Sequence, residues 1–380
     1  MADTLSFIGS DSFEGTAYYN NEDNWIDGNL YIGNHLIKAN KLYDNFVVPE
    51  NILSVAAGAF NECLNLKSCY VGKNVRNLGY EDVMFLFKEC LKLEEIKVHE
   101  ENQYLYSDED GVLFNKEKTT LIRYPVGKKE SFYKVPDTVK KIAGSAFAYA
   151  YNLDKIELPA GLVECGTQAF LGCLCLSELE IPDSVTYLGY TSITENAGLS
   201  EITIPMGMKK IDFAAIYRCF SLEKIYVKSY DAEICEFALG SAEVTLNVSS
   251  KEEKMKILVD GYINNNFEAF EKYAVWYDDI VHTATIYCHS GSTAEAYAIE
   301  NGIKYELTHF YEGEWTYDYD NMIRYRKCIH CDELETEELI PETPTEPDVP
   351  ADEDTKEPLY VQLFDLIKMF FALIISLFKK

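Results

Sequence analysis

The strongest constraint in this sequence is a 23-residue period that runs from Val135 to Val227 without a gap. It aligns a proline column, Pro136, Pro159, Pro182 and Pro205, and a leucine column, Leu153, Leu176, Leu199 and Leu222. Three further apolar columns keep the same period: Ile156, Leu179, Ile202 and Ile225; Val135, Leu158, Ile181, Ile204 and Val227; and Phe147, Phe170, Ile193 and Ile216. Apolar residues at fixed phases indicate units that bury their apolar sides by stacking on one another.

Each repeat contains the pattern of a short strand. Residues 153–158 alternate apolar and polar side chains at the end of the segment, and Pro159 ends the ladder because it has no N–H to donate. Equivalent strands in successive coils must lie parallel, roughly 4.8 Å apart. The column of Phe147, preceded by alanines, suits a short helical or turn segment on the opposite wall. We therefore predict a repeat solenoid with one short parallel strand in each repeat.

The repeat resembles the BspA-like class of leucine-rich repeat proteins, with its phrase I-P-x-x-V-x-x-I-x-x-x-A-F-x-x-C-x-x-L-x-x-I-x. Val135-Pro-Asp-Thr-Val139-Lys-Lys-Ile142, with Ala146-Phe147 and Leu153-Asp-Lys-Ile156, matches it closely, and Ile181-Pro-Asp-Ser-Val185 repeats its opening. The departures are Ile193 and Ile216 where Phe is usual, and Ala150 and Asn196 where Cys is usual; we interpret them as conservative core substitutions. The resemblance covers roughly residues 1–306. It implies a leucine-rich-repeat β-solenoid and bacterial or protozoal surface proteins that bind other molecules without transforming them.

Breaks in the period and changes in composition predict the remaining organisation. The predicted parts are a partial repeat plus a hairpin turning at Gly33–Asn34 (1–48), the solenoid (49–248) with a second hairpin insertion (99–134), a helical capping segment (249–308), a two-strand module with a Cys-x-x-Cys pair (309–341), an acidic proline-rich linker (342–357) and an amphipathic helix (358–380). Within the cap, residues 249–280 are predicted to be helical, with Ser250 and Glu253 as a capping box and Phe267, Phe270 and Val275 as the apolar side.

The net charge of −29 argues against nucleic acid as a partner, because nucleic acids bind to basic surfaces. Residues 332–357 alone hold twelve acidic residues and one lysine, which is typical of a solvated tail. The eleven cysteines are an odd total, which argues against complete disulfide pairing. Four of them, Cys63, Cys90, Cys173 and Cys219, recur at one position of the repeat, so we interpret them as small buried hydrophobic residues.

The sequence contains no recognisable catalytic set, cofactor motif or complete metal site, so we predict a protein that is not an enzyme. Its six histidines are scattered, and none has a metal-binding partner at the usual spacing. Cys328 and Cys331 are half of a zinc knuckle with no second pair, so we interpret them as two thiols or a local disulfide; zinc shared between two molecules is the alternative. Asp108-Glu109-Asp110 lacks the alternating oxygen ligands of a calcium loop and is interpreted as a solvated turn.

The solvent side of the strand ladder is the candidate binding face for a protein or glycan ligand, as in other solenoids. Its predicted residues are Tyr70, Glu95, Lys97, Lys155, Glu157, Glu178, Glu180, Glu201, Thr203, Lys224 and Tyr226. The alternative is that pairs such as Lys155 with Glu178, and Glu201 with Lys224, are only cross-strand charge pairs of small value.

The last 23 residues, 358–380, predict an amphipathic helix with a narrow polar stripe. Their longest apolar run, Met369 to Ile375, is far short of the roughly 20 residues that span a bilayer. We expect this helix to lie in a membrane interface. The predicted membrane contacts are Leu363, Phe364, Ile367, Phe370, Phe371, Ile374, Ile375 and Phe378. The alternative is that the helix packs on the solenoid or on copies of itself.

These observations favour a non-catalytic binding or adhesion scaffold that is secreted or held at a cell surface; the alternative is a structural spacer without a specific ligand. The first residues carry neither a basic start nor an apolar run, so no signal peptide is predicted. Ile8-Gly-Ser-Asp-Ser-Phe13 reads like the middle of a repeat, which leaves a truncated N-terminus, an atypical cap or cytoplasmic retention open.

Overall fold

The structure is a computed structural model that describes residues 8–79, 86–246, 248, 250, 253, 256–257, 267–282, 284–318, 321 and 323–339. The described residues divide into two compact units. One reaches Glu314 and includes Arg326–Glu335, and the other contains the described residues of Trp315–Tyr325 together with residues 336–339. The linker predicted at 342–357, the helix predicted at 358–380 and the bulge predicted around Tyr80 lie outside the described residues.

The first unit is a parallel β-solenoid of about ten turns, as predicted. One wall carries strands at the position that the alternation predicts, and we call them the face strands. They are Asn45–Val47, Ser68–Val71, Glu95–Val98, Phe132–Lys134, Lys155–Glu157, Glu201–Ile204 and Lys224–Val227. Their pairing keeps the 23-residue period, with Glu201 beside Lys224 and Ile202 beside Ile225. The apolar columns therefore form ladders of like residues, and Leu153, Leu176 and Leu199 are fully buried.

From Lys141 onward, each repeat also contains a second, two-residue strand that the sequence pattern does not predict, because two residues are too few to show an alternation. These strands join the second hairpin insertion in an eight-stranded sheet. Its members are Leu105–Ser107, Leu113–Asn115, Thr120–Arg123, Lys141–Ile142, Glu164–Cys165, Tyr187–Leu188, Lys210–Ile211 and Glu233–Ile234. The last residue of each short strand points into the core, as buried Ile142, Cys165 and Leu188 do.

The wall opposite the face strands is built from turns. Its aromatic column stacks along the solenoid, with ring centroids 5.4 Å apart for Phe147 and Phe170 and 4.8 Å apart for Phe60 and Phe87. A left-handed backbone conformation recurs every 23 residues in these turns, at Ser145, Gln168, Thr191, Ala214 and Phe237, with φ between 47° and 56°. The period thus fixes the backbone conformation of the turns as well as the apolar contacts of the core.

The N-terminal end of the solenoid carries a hairpin. A short 3-10 helix, Glu22–Asn24, precedes a four-stranded sheet formed by Trp25–Ile26, Asn29–Ile32, His35–Lys38 and Ser54–Val55. The strands Asn29–Ile32 and His35–Lys38 are antiparallel around the predicted turn at Gly33–Asn34. The strand His35–Lys38 then pairs in parallel with Ser54–Val55, which joins the hairpin to the first coil.

The prediction of helix throughout 249–280 is wrong in part. Glu253, Lys256 and Ile257 are helical, and the backbone N–H of Glu253 donates to the hydroxyl of Ser250 over 3.3 Å, as the predicted cap requires. Helix α1, Phe267–Tyr273, follows, but Ala274–His282 is a strand that pairs antiparallel with Leu239–Leu246. The reason is local composition, because Ala274–His282 is rich in aromatic and β-branched residues that favour strands. The strand Ile216–Tyr217 completes this three-stranded sheet.

The rest of the cap follows its sequence signals. The strand Thr285–Cys288 pairs in parallel with Lys224–Val227 and so continues the face ladder. Helix α2, Thr293–Glu300, begins after the N-cap Ser292, whose side chain accepts a hydrogen bond from the backbone N–H of Glu295. After Gly302, at φ 64°, the strand Tyr305–Leu307 pairs with Thr285–Cys288.

Three strands, not two, follow this cap: Thr316–Asp318, Ile323–Lys327 and Leu334–Glu338. In the second unit, Thr316–Asp318 pairs antiparallel with residues 323–325. Among the described residues, no helix has the length and apolar character that crossing a bilayer demands.

Candidate functional site

The predicted binding face is formed by the side chains that point outward from the face strands. Tyr70 and Lys97 are register partners, as are Glu201 with Lys224 and Thr203 with Tyr226. The acidic residues Glu157, Glu178, Glu180 and Glu201 are exposed, whereas Glu95, Thr203, Lys224 and Tyr226 are half-buried. The outward columns therefore have the predicted register.

Ion pairs cover part of this face. Lys155 Nζ lies 2.8 Å from Glu178 Oε2, as the cross-strand alternative predicts. Lys134, which the sequence analysis did not select, pairs with Glu157 across the same ladder. Within the described residues no ion pair joins Glu201 to Lys224, although the two are register partners. Exposed ion pairs of this kind contribute about 0–1 kcal/mol each to the free energy of unfolding. Their contribution to stability therefore does little to explain why charged residues occupy these positions.

The face ladder is interrupted at the coil that contains Glu178. This coil lies between the coils that carry the strands Lys155–Glu157 and Glu201–Ile204. In place of a face strand it has a single isolated bridge, from Glu178 to Lys155. A cleft of about 440 Å³ lies on one side of the segment and a cleft of about 380 Å³ on the other. Both volumes fall in the range of roughly 300–1,000 Å³ that is typical of ligand pockets.

The two clefts share acidic walls. Glu178, Glu180 and Asp183 line both clefts, and Glu201 lines the larger one. One lysine lines each cleft, and each is engaged: Lys155 pairs with Glu178, and Lys228 Nζ pairs with Glu312. The carboxylates of Glu180, Asp183 and Glu201 therefore leave the clefts with a net negative charge, which favours ligands with cationic groups.

An aromatic pair extends the face toward the cap. Tyr226 stacks on Tyr287, with ring centroids 4.9 Å apart and planes 27° apart. Tyr287 is not among the predicted face residues, because it lies outside the 23-residue period, in the strand Thr285–Cys288 that continues the ladder. Tyrosine pairs of this kind are frequent contacts in binding surfaces.

The cysteine column is buried, as predicted, and it also donates hydrogen bonds. The thiol of Cys173 lies 3.2 Å from the carbonyl oxygen of Phe147, and that of Cys219 lies 3.0 Å from the carbonyl oxygen of Ile193. Asn196, at the same position of its repeat, donates from Nδ2 to the carbonyl oxygen of Phe170 over 2.9 Å. All eleven cysteines lie in the described part of the chain, and all are free thiols. Burial raises the pKa of Cys173 and of Cys219 to about 12, so these thiols stay protonated.

The Cys328/Cys331 pair has two neighbours that the sequence analysis missed. His289 and His309 join it, and one potential ligand atom from each of the four residues lies within 4.8 Å of the others. Two of the histidines, which have no partner at metal-binding spacing along the chain, thus lie beside the two cysteines in the folded structure. Spacing along the chain could not reveal the group, because its members come from three separate segments.

Asp108 lies in a turn of the second hairpin insertion. Its carboxylate accepts hydrogen bonds from the backbone N–H of Val112 and from the hydroxyl of Tyr133. Burial raises its pKa, whereas Glu109 and Asp110 are exposed. The turn is therefore held by hydrogen bonds to the Asp108 carboxylate, and Asp108 is more buried than the predicted solvated turn implies.

Comparison with solved structures finds other leucine-rich repeat proteins of bacteria. A leucine rich cell surface protein from Faecalibacterium prausnitzii A2-165 is 25% identical over 50% of this chain and 55% of its own, with a TM-score of 0.42. The pneumococcal vaccine antigen PcpA is 20% identical over 70% of this chain and 68% of its own, with a TM-score of 0.44. A leucine-rich repeat protein from Eubacterium ventriosum ATCC 27560 is 21% identical over 50% of this chain and 68% of its own, with a TM-score of 0.38.

The chain spans little more than half the length of the Faecalibacterium protein. No curated protein matches it. A family model described as "BspA type Leucine rich repeat region" matches six copies of the repeat, over residues 1–109 and 128–242, which is more than half of the chain. The chain belongs to the BspA type leucine-rich repeat family.

Proposed function

We propose that this repeat protein is a non-catalytic binding or adhesion scaffold, and that its ligand occupies the face strands around the two acidic clefts. The observation that carries the proposal is the interruption of the ladder at Glu178, which opens both clefts within the predicted face. Their charge favours a protein ligand that presents lysine or arginine side chains over a neutral glycan.

The proposal includes a location at the cell surface or outside the cell. It is supported by membership of a repeat family whose solved relatives include a leucine rich cell surface protein. The amphipathic segment predicted at 358–380 supplies a means of membrane contact that does not require a spanning helix.

The test compares charge reversals on the face with matched reversals elsewhere on the full chain. Glu178, Glu180 and Glu201 are changed together to lysine; the control changes Glu50, Asp137 and Glu236, which are equally exposed, to lysine. Both variants are measured by surface plasmon resonance against purified basic proteins and neutral and anionic glycans.

We expect at least one basic protein to bind the wild-type chain and the control, and to bind the face variant at least tenfold more weakly. Equal binding by the two variants would remove the face from the proposal. If no panel member binds the wild-type chain, the spacer becomes the better account.

A further inference from the structure

The most pronounced grouping of metal-binding side chains in the described part of the chain lies at the edge of the cap. The strands Thr285–Cys288 and Tyr305–Leu307 are parallel, and Cys288 is the register partner of Leu307. The carboxyl ends of parallel strands meet at the same edge of a sheet, so His289 and His309 emerge side by side. Their ring centroids lie 5.4 Å apart at nearly a right angle.

Backbone contacts hold the Cys-x-x-Cys loop against this edge. Tyr311 and Cys328 form an antiparallel bridge, and the N–H of Ile329 donates to the carbonyl oxygen of Phe310 over 2.9 Å. The N–H of Cys328 donates to the carbonyl oxygen of Glu333 over 2.8 Å and closes the loop. Backbone hydrogen bonds therefore hold the loop in place, and the thiols of Cys328 and Cys331 are not needed for that role.

The potential ligand atoms lie close enough together for a tetrahedral site. All four lie within 4.8 Å of one another, and Cys331 Sγ lies 3.4 Å from His309 Nδ1. A tetrahedral zinc ion with bonds of roughly 2.0–2.3 Å holds its ligand atoms about 3.3–3.8 Å apart. A contraction of about 1 Å at the longest separation is enough to complete the site.

His289 supplies an independent indication. It is only 8% exposed, and its Nδ1 lies 2.8 Å from the carbonyl oxygen of Ser290, which makes Nδ1 the protonated nitrogen. Its Nε2 then carries a lone pair, is buried and has no hydrogen-bond partner among the described residues. A carbonyl oxygen that fixes the tautomer while the other nitrogen binds metal is the usual second contact of a zinc-binding histidine.

His330, between the two cysteines, is not part of the group. Its Nε2 contacts the carbonyl oxygen of Lys228, so the ring is engaged with the preceding coil. The candidate set is thus two thiolates and two imidazoles, which matches the Cys₂His₂ composition of structural zinc sites. Softer sulfur ligands select zinc over magnesium or calcium, and four protein ligands leave no open position for a substrate.

We propose that His289 Nε2, His309 Nδ1, Cys328 Sγ and Cys331 Sγ bind one structural zinc ion within a single chain. The ion joins two cap segments to the Cys-x-x-Cys loop and holds that loop on the edge of the cap. This inference is independent of the binding face, since the site and the clefts consist of different residues.

The direct test is metal content and cobalt spectroscopy of the full chain. The reduced protein is freed of metal with a chelator. One sample is then titrated with Zn²⁺ and a separate sample with Co²⁺. We expect one equivalent of metal per chain, a rise in melting temperature on zinc addition, and cobalt bands of a tetrahedral site with thiolate ligands. The cobalt spectrum needs no mutation, so it stays informative if a variant fails to fold.

Variants identify the ligands. Cys328→Ser, Cys331→Ser and His289→Gln should each weaken zinc binding at least tenfold. The matched controls are His330→Gln, from the same loop, and Cys235→Ser, a partly exposed cysteine in the solenoid; both should bind zinc as the wild-type chain does.

Three results would overturn the proposal. They are an absence of zinc binding by the reduced wild-type chain, affinity that the ligand variants leave unchanged, and half an equivalent of zinc with dimer formation, which would indicate a site shared between two molecules. A Cys328–Cys331 disulfide that persists under reducing conditions would likewise favour the disulfide interpretation.

Discussion

Single residues show how strictly the repeat constrains its core. Leu176 is fully buried in the leucine ladder between Leu153 and Leu199. We expect Leu176→Ala to lower the free energy of unfolding by about 2–5 kcal/mol, through lost burial and the cavity left behind. Because neighbouring coils support one another, hydrogen exchange should also quicken in the coils on either side.

Denaturant unfolding followed by circular dichroism measures the change at Leu176. The matched control is Leu64→Ala, because Leu64 is 55% exposed and should cost little. An unfolding midpoint equal to that of the wild-type chain would contradict the register of the leucine column.

The cysteine position gives a second prediction at this scale. Asn196 is fully buried and donates to the carbonyl oxygen of Phe170, but its own Oδ1 has no hydrogen-bond partner in the described structure. Asn196→Ala leaves that carbonyl without this donor and should cost about 1–3 kcal/mol. Asn196→Cys supplies a thiol donor, as Cys173 and Cys219 do, and should stay within about 1 kcal/mol of the wild-type chain.

Thermal and denaturant unfolding of the two Asn196 variants, side by side, checks this expectation. Equal stability of the alanine and cysteine variants would mean that the column serves only to fill space, which was the interpretation drawn from the sequence.

The turns determine how each coil closes. Thr191 has φ 47°, which is unfavourable for a β-branched residue, and its buried Oγ1 has no hydrogen-bond partner in the described structure. Thr191→Gly relieves about 1–2 kcal/mol of left-handed backbone strain in the folded state. It also raises the conformational entropy that the chain loses on folding, which costs about 0.5–1 kcal/mol. We therefore expect this variant to be about 1 kcal/mol more stable than the wild-type chain.

The matched control is Thr186→Gly, at a position in the same repeat with no positive φ. It gains no relief of strain and should lose stability. Chemical denaturation compares the two variants, and a Thr191→Gly chain as destabilised as the control would show that the turn tolerates threonine without strain.

At the scale of the whole molecule, the tail beyond Glu357 remains a sequence-based prediction. The apolar side, which includes Phe364, Phe370 and Phe371, is expected to enter a membrane interface, and Lys379 and Lys380 favour anionic lipid. Flotation with anionic vesicles should carry the full chain and leave a version ending at Glu357 in solution. Neutral vesicles serve as the control for the charge contribution.

Identical flotation of the two chains would contradict the membrane tether. Self-association of the tail would then be the better account, and the oligomeric state of each version, measured by light scattering, would distinguish it from packing on the solenoid.

The sequence by itself determined the solenoid, the register of the leucine and proline columns, and the hairpin around Gly33–Asn34. A period of 23 residues repeats every local preference, and each copy reinforces the others. It also gave the outward columns of the face, since strand alternation decides which side chains point to solvent.

Only the tertiary structure decided the features that depend on contacts between distant segments. The ladder is interrupted at Glu178 although that coil keeps the repeat pattern. His289 and His309 approach Cys328 because parallel pairing aligns the ends of two cap strands. Such approaches depend on the path of the folded backbone, and spacing along the chain does not record that path.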